Sequence, residues 1–321
     1  MSINRLKHYL SLTVDQLFNT LLSELNNIDY ITSYSKDYIF SVPESCVEIP
    51  ILLVAHIDTH YKTPPSIVFH DPKWNVLWSP DGIGGDDRNG VYAIMEIIKT
   101  HKCGILFTDG EEKGGIGAKA FIKDIPVNPG YKMLIEIDRR NSIDCVFYDN
   151  ESKDFQKFIE DFGFKTATGS YSDISTIGPA WKTNSVNLSA GYYNQHTREE
   201  FIVFKQLKNT INKVKTLLSM PIPCFEYKEK TYTAWNDYCY EDYGNHWVGK
   251  NMSAKCDYCL KPVYVRTFVN SWLLCKQCID THTFICSVCK KRTMHSTQKD
   301  PNATVCYKCD DTGSQLALLP S

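Results

Sequence analysis

An α/β three-layer sandwich around a mostly parallel central sheet, followed by a small cysteine-rich domain, is the fold class this 321-residue sequence predicts. Two observations carry it. Short apolar runs such as Ile49–Ala55 and Gly104–Thr108 alternate with segments of helical spacing, as when strands buried on both faces lie between covering helices. Further on, eight cysteines fall in four Cys-x-x-Cys pairs between Cys256 and Cys309.

The elements follow in order. Leu6, Leu10, Leu17, Leu21, Leu22 and Leu25 recur at helical spacing, so one or two amphipathic helices open the chain within residues 1–28. Tyr38–Val42 and Ile49–Ala55 read as strands, Gly90–Thr100 as a helix and Gly104–Thr108 as a buried strand. Ile116–Ile122 reads as a helix, Lys132–Ile137 and Ser185–Leu188 as strands, and Arg198–Ser219 as the helix that closes the pattern. Composition shifts after Pro221-Ile-Pro. The expected domains are therefore residues 1–220, a connector over 221–254 rich in Tyr, Trp and acidic side chains, a cysteine module over 255–312, and a tail over 313–321.

Net charge is −2 and hydrophobic content 43%, which excludes a disordered chain and a strongly basic nucleic-acid coat. No apolar run approaches the roughly 18–20 residues of a membrane span, and residues 1–12 lack the apolar core of a signal peptide. A soluble, cytoplasmic protein without a membrane partner is the expectation. Paired cysteines in a reducing compartment read as metal sites, not disulfides.

Seven residues of metal-ligand type punctuate the first two-thirds: His56 and Asp58 in AHIDT, Asp86 in GGDDRNG, Glu111 and Glu112 in TDGEEKGG, Asp138 in LIEIDRR, and His196 in GYYNQHTREE. Most of them follow a predicted strand, where the carboxyl ends of a parallel sheet form a binding crevice. Two divalent metals sharing a water need a bridging carboxylate and further ligands on each side. Asp86, in a glycine-bounded turn, suits the bridge. His56 and Asp138 are assigned to one metal, Glu112 and His196 to the other. Asp58 would accept the second N–H of His56, and Glu111, beside a ligand but not one itself, is the expected general base. Zinc is the first expectation, with cobalt or manganese compatible with mixed nitrogen and oxygen ligation. His60, His70 and His101 read as ordinary histidines, with His60 close enough to His56 to line the pocket.

These motifs resemble the cocatalytic di-zinc exopeptidase superfamily, which includes aminopeptidases, carboxypeptidases and related amidohydrolases, over roughly residues 1–220. The resemblance implies Glu111 as base, Glu112 as a zinc ligand, and a cis peptide between Asp86 and Asp87. It also implies a place near the site for Asp173 in SYSDIST. Only 29 residues separate His56 from Asp86, and 57 separate Asp138 from His196, too few for an inserted domain in either interval. The chain is thus similar to minimal single-domain aminopeptidases, although DDRNG is closer to relatives that carry an insertion. Without a lid histidine the oxyanion stabiliser is open; Tyr171, Tyr192 and Tyr193 are candidates.

In the cysteine module, 15 residues separate Cys256-x-x-Cys259 from Cys275-x-x-Cys278, and 16 separate Cys286-x-x-Cys289 from Cys306-x-x-Cys309. This is zinc-ribbon spacing, expected to hold two structural zinc ions, paired in sequence or as a cross-brace. From Lys255 to Cys309 nine Lys/Arg face three Asp. Two four-thiolate zinc sites would reduce that excess further, so a protein partner is expected ahead of nucleic acid. Cys224, Cys239 and His246 read as packing residues. The predicted function is a metal-dependent amide hydrolase, first an aminopeptidase-type exopeptidase acting on a peptide or small amino-acid-derived substrate. A deacylase of N-acyl amino acids and a non-catalytic zinc-ribbon adaptor are the alternatives. Oligomeric state is left open.

Overall fold

The computed structural model describes residues 1–45 and 48–230, and short elements between 254 and 294. The chain forms two compact units, Met1–Thr231 and Tyr232–Ser321.

The first unit opens with α1 (Ile3–Leu10) and α2 (Val14–Asn26), then β1 (Tyr30–Tyr34), β2 (Tyr38–Pro43) and β3 (Ile51–His56). β4 (Phe69–Asp71) and β5 (Val76–Trp78) form a hairpin before α3 (Gly85–Ile97), β6 (Gly104–Thr108), α4 (Ile116–Asp124) and β7 (Met133–Arg139). β8 (Asp144–Val146), α5 (Lys153–Glu160), β9 (Lys165–Thr166), α6 (Asp173–Trp181) and β10 (Asn184–Ser189) follow. The unit ends with β11 (Tyr192–Tyr193), β12 (Phe201–Val203) and α7 (Phe204–Leu218).

Eight strands make one sheet in the order β1-β2-β6-β3-β7-β10-β8-β9. Its centre, β6-β3-β7-β10, is parallel, while β2 against β6 and β8 against β10 are antiparallel. Side chains on β3 alternate between two cores because strand periodicity is two. Leu53 and Ala55 pack with Leu6, Leu17, Leu21, Ile94 and Leu207, and Leu52 and Val54 with Phe121, Ile174 and Trp181. Helices α1, α2, α3 and α7 therefore cover one face and α4 and α6 the other, the three-layer arrangement expected from the apolar runs.

Local chemistry sets the helix ends. Thr13 and Gln16 exchange backbone-to-side-chain hydrogen bonds at the start of α2, a capping box. Gly90 lets α3 approach β7: a Cβ there would overlap the Asp87 carboxylate and come within 2.5 Å of the Ile137 carbonyl.

Two sequence expectations are corrected. The last helix starts at Phe204, not Arg198; Phe201-Ile-Val, with its β-branched pair, instead forms a strand against Val76–Trp78. That strand belongs to a second sheet, β11-β12-β5-β4, whose two- and three-residue strands are too short to show a period. The helix expected over Gly90–Thr100 begins earlier, at Gly85, with Asp86 and Asp87 non-helical, and ends at Ile97.

Residues 221–230 pack on the first unit: Phe225 meets Phe155 and Phe158, and the Asn184 side chain donates to the Phe225 carbonyl. In the second unit, Ala254–Lys255 pairs with Pro262–Val263, Thr267–Val269 with Trp272–Leu274, and Thr283–Ile285 with Arg292–Met294. Helix Lys276–His282 buries Cys278. The other seven cysteines of the expected zinc sites lie outside the described residues, as do the tail and most of the connector. Among the described residues no helix is long and apolar enough to cross a membrane.

Candidate metal centre

The ends of the parallel strands bring the predicted ligands together. His56 is the last residue of β3, Asp138 lies one residue from the end of β7, and Glu111 and Glu112 follow β6 in a turn. Asp86 stands at the start of α3, joined to Asp87 by a cis peptide bond. His196 comes from the loop between β11 and β12, at φ 64°, in the left-handed region.

Asp86 faces both groups. Its Oδ1 lies 3.3 Å from His56 Nε2, and its Oδ2 lies 3.2 Å from His196 Nε2. On the first side Asp138 Oδ1 is 3.6 Å from His56 Nε2; on the second, Glu112 Oε1 is 2.9 Å from His196 Nε2. The atoms facing the centre are thus two imidazole nitrogens and three carboxylates.

Supporting contacts fix these groups. His56 Nδ1 points at Asp58, 3.1 Å from its backbone carbonyl and 3.3 Å from Oδ1. Asp58 Oδ1 also accepts the backbone N–H of Glu111 at 3.1 Å. Tyr192, buried, donates its hydroxyl to the Asp138 carbonyl at 2.7 Å. Glu200, only 1% exposed, accepts the N–H of Asp86 at 3.1 Å and of Gly84 at 3.0 Å. Neither Tyr192 as an orienting group nor Glu200 is marked by any sequence motif; Glu200 lies in an acidic pair that reads as surface.

Asp87 is fully buried and accepts the Gly90 N–H at 2.9 Å. Asp173 is fully buried at the start of α6 and accepts the Thr108 hydroxyl. Of the tyrosine candidates, Tyr193 is occupied elsewhere: its hydroxyl donates to Gln206 at 2.7 Å and its ring stacks on Phe201. The Tyr171 hydroxyl sits against Gly115, in the loop that carries Glu111 and Glu112. His60, read from the sequence as an ordinary histidine close enough to His56 to line the pocket, stacks on His196 with ring centroids 4.7 Å apart and an interplanar angle of 18°.

The electrostatics are those of crowded carboxylates. Burial, then the charge of Asp86, pushes Asp138 up to about 8. Burial, with repulsion from Asp138, Asp173 and Asp86, outweighs the attraction of His56 and pushes Glu111 up to about 9. His196 is raised to about 10 by its contacts with Asp86 and Glu112. Burial works against a charged His56, yet Asp138, Asp58 and Asp86 together hold its pKa well above the ordinary value. Asp58 Oδ2, Asp87 Oδ2, Glu136 Oε1 and Asp173 Oδ1 are buried without a hydrogen-bond donor. Buried carboxylates in such excess over positive groups suit divalent cations, and the mixed nitrogen and oxygen donors fit zinc-type ions. Two clusters of closely spaced ligand atoms, His56–Asp86–Glu112 and His60–Glu112–His196, occur among the described residues.

Residues 39–177 match the model of peptidase family M28, a stretch that holds His56, Asp86, Glu111, Glu112 and Asp138. A tripeptidase from Staphylococcus aureus subsp. aureus Mu50 has a similar structure, with TM-score 0.56 and 14% identity, over 67% of this chain and 96% of that one. Aminopeptidase PepT from Bacillus cereus ATCC 10987 aligns with TM-score 0.53 and 13% identity, over 67% and 96% of the two chains. The Pyrococcus horikoshii TET1 peptidase aligns with TM-score 0.52 and 14% identity, over 67% and 98%. At these identities the likeness is one of fold. No curated protein matches the chain.

Proposed function

We propose that this chain, a metal-dependent hydrolase of the aminopeptidase type, releases N-terminal residues from peptides at a centre holding two divalent ions, with Glu111 as general base. The observation that carries the proposal is the division of Asp86: one oxygen faces His56, the other faces His196. His56, Asp138 and Asp86 would hold one ion, and His196, Glu112 and Asp86 the other. Zinc suits these donors, and cobalt or manganese are compatible. Two ions so held would lower the pKa of a water between them and polarise the scissile carbonyl.

The chain's own groups do the rest. Asp58 keeps His56 in the tautomer that presents Nε2 to the centre, Tyr192 holds Asp138, and Glu200 holds the Asp86 backbone. Glu111 accepts the proton of the attacking water and passes it to the leaving amine. The appended cysteine module, proposed to hold two structural zinc ions, is assigned a protein partner and no part in the chemistry.

Glu111→Gln tests the assignment. Metal content should stay at the wild-type level while hydrolysis of dipeptides and amino-acid amides falls by about 10²–10⁴-fold. A variant that keeps its activity would remove Glu111 from the base role. Wild-type cleavage of N-acyl amino acids, but of no free-amine substrate, would make the chain a deacylase.

A further inference from the structure

His60 lies outside the ligand set assigned above, yet its geometry is that of a ligand. It follows His56 by four residues in an irregular segment, exposed at the mouth of the centre. A ring nitrogen of His60, the Glu112 carboxylate and a ring nitrogen of His196 lie within 4.8 Å of one another. The His60 and His196 ring centroids lie 4.7 Å apart.

The surrounding loops keep this arrangement in place. The hydroxyl of the next residue, Tyr61, donates to the Thr197 carbonyl at 2.5 Å and lies 3.1 Å from Glu200 Oε2. Thr59 donates its hydroxyl to the Tyr61 carbonyl at 3.2 Å. The Tyr61 ring lies flush against Gly82, where a Cβ would overlap it. The segment that carries His60 is therefore tied to the segment that carries His196, and through Glu200 to the backbone of Asp86.

We propose that His60 is a further protein ligand of the ion shared by Glu112, His196 and Asp86. The inference rests on the two-ion reading above. It makes the two positions chemically unequal. The His56 position has one imidazole with the Asp86 and Asp138 carboxylates, whereas the His60–His196 position has two imidazoles with Glu112 and Asp86. Nitrogen-rich ligation favours zinc and cobalt over manganese and magnesium, so this position should load first and release last.

The test is a zinc titration of the full-length chain against a competing chelator, with bound metal counted by mass spectrometry. Visible spectra of the cobalt-loaded protein give a second readout. Wild type is compared with His60→Ala and with His60→Phe, which keeps a ring against His196 but offers no nitrogen. Both variants should weaken one of the two ions outside the cysteine module by about 10–100-fold or more, and both should alter the cobalt spectrum. Two ions bound with wild-type affinity and an unchanged spectrum in both variants would overturn the assignment. So would loss in the alanine variant alone, because the stack and not ligation would then matter. A wild-type protein that binds a single ion outside the cysteine module would overturn the two-ion reading itself, an outcome distinct from either of these.

Discussion

Asp58 Oδ1 lies 3.3 Å from His56 Nδ1 and accepts the backbone N–H of Glu111 at 3.1 Å. One carboxylate thus orients His56, the proposed metal ligand, and anchors the turn that presents Glu111, the proposed general base. Asp58→Ala should therefore do two things together. Metal affinity should fall by about 10–100-fold, the usual cost of removing a group that orients a ligand histidine. The kcat of the fully metal-loaded variant should fall as well, because the Glu111 turn is released. Restoration of full kcat by excess zinc would confine Asp58 to orienting His56.

Glu200 is nearly fully buried and its two oxygens accept the N–H groups of Asp86 and Gly84. Glu200→Ala leaves those donors without partners and should cost about 1–3 kcal/mol of stability. It should also weaken metal binding, since the Asp86 turn loses its restraint. Chelator competition and thermal unfolding measured on the same protein check both. An unchanged metal affinity would reduce Glu200 to a purely structural residue.

Packing at Gly90 makes a separate prediction. Gly90→Ala would push a methyl group into the Asp87 carboxylate and the Ile137 carbonyl, so α3 has to shift away from β7. A loss of about 1–3 kcal/mol is expected, and the shift displaces Asp86, so activity should fall along with stability. Thermal unfolding and substrate turnover report the two effects.

Acid stability follows from the pairing of α1 with α2 and α3. Glu96, only 3% exposed, is paired with Lys99 and with Arg5, which also meets Glu24. Burial raises the Glu96 pKa, but the pairing with Lys99, then the Met1 ammonium, then Arg5, outweighs it and holds the group below its ordinary value. A folded-state pKa below the unfolded one gives stability that is complete above the unfolded value, about 4.3, and is lost as pH falls through the folded one. Unfolding measured from pH 7 to pH 3 should therefore show less loss in Glu96→Gln than in wild type. The variant should be less stable at pH 7. Parallel curves would rule out Glu96 as a source of the acid sensitivity.

Much of this arrangement could be read in the sequence. β3, β6 and β7 are apolar on both faces, which marked them as central strands and placed His56, Asp138 and the Glu111–Glu112 turn at one edge. The second sheet could not be read in the same way. Phe69–Asp71 and Val76–Trp78 are three residues each and partly exposed, with no run long enough to show alternation. Phe201–Val203 adjoins the helical segment Phe204–Leu218 and reads as its continuation. Glu200 carries no such signal, and His60 is legible only as a pocket-lining histidine, for a related reason: both lie in irregular loops, and their neighbours Asp86 and His196 are more than a hundred residues away in sequence.

The most direct test of the two-ion centre is anomalous diffraction at the zinc edge from crystals of the zinc-loaded protein. Two peaks in the first unit are predicted, one on each side of the Asp86 carboxylate, the first beside His56 and Asp138 and the second beside Glu112 and His196. A single peak, or two peaks of which either lies out of reach of Asp86, would contradict the account.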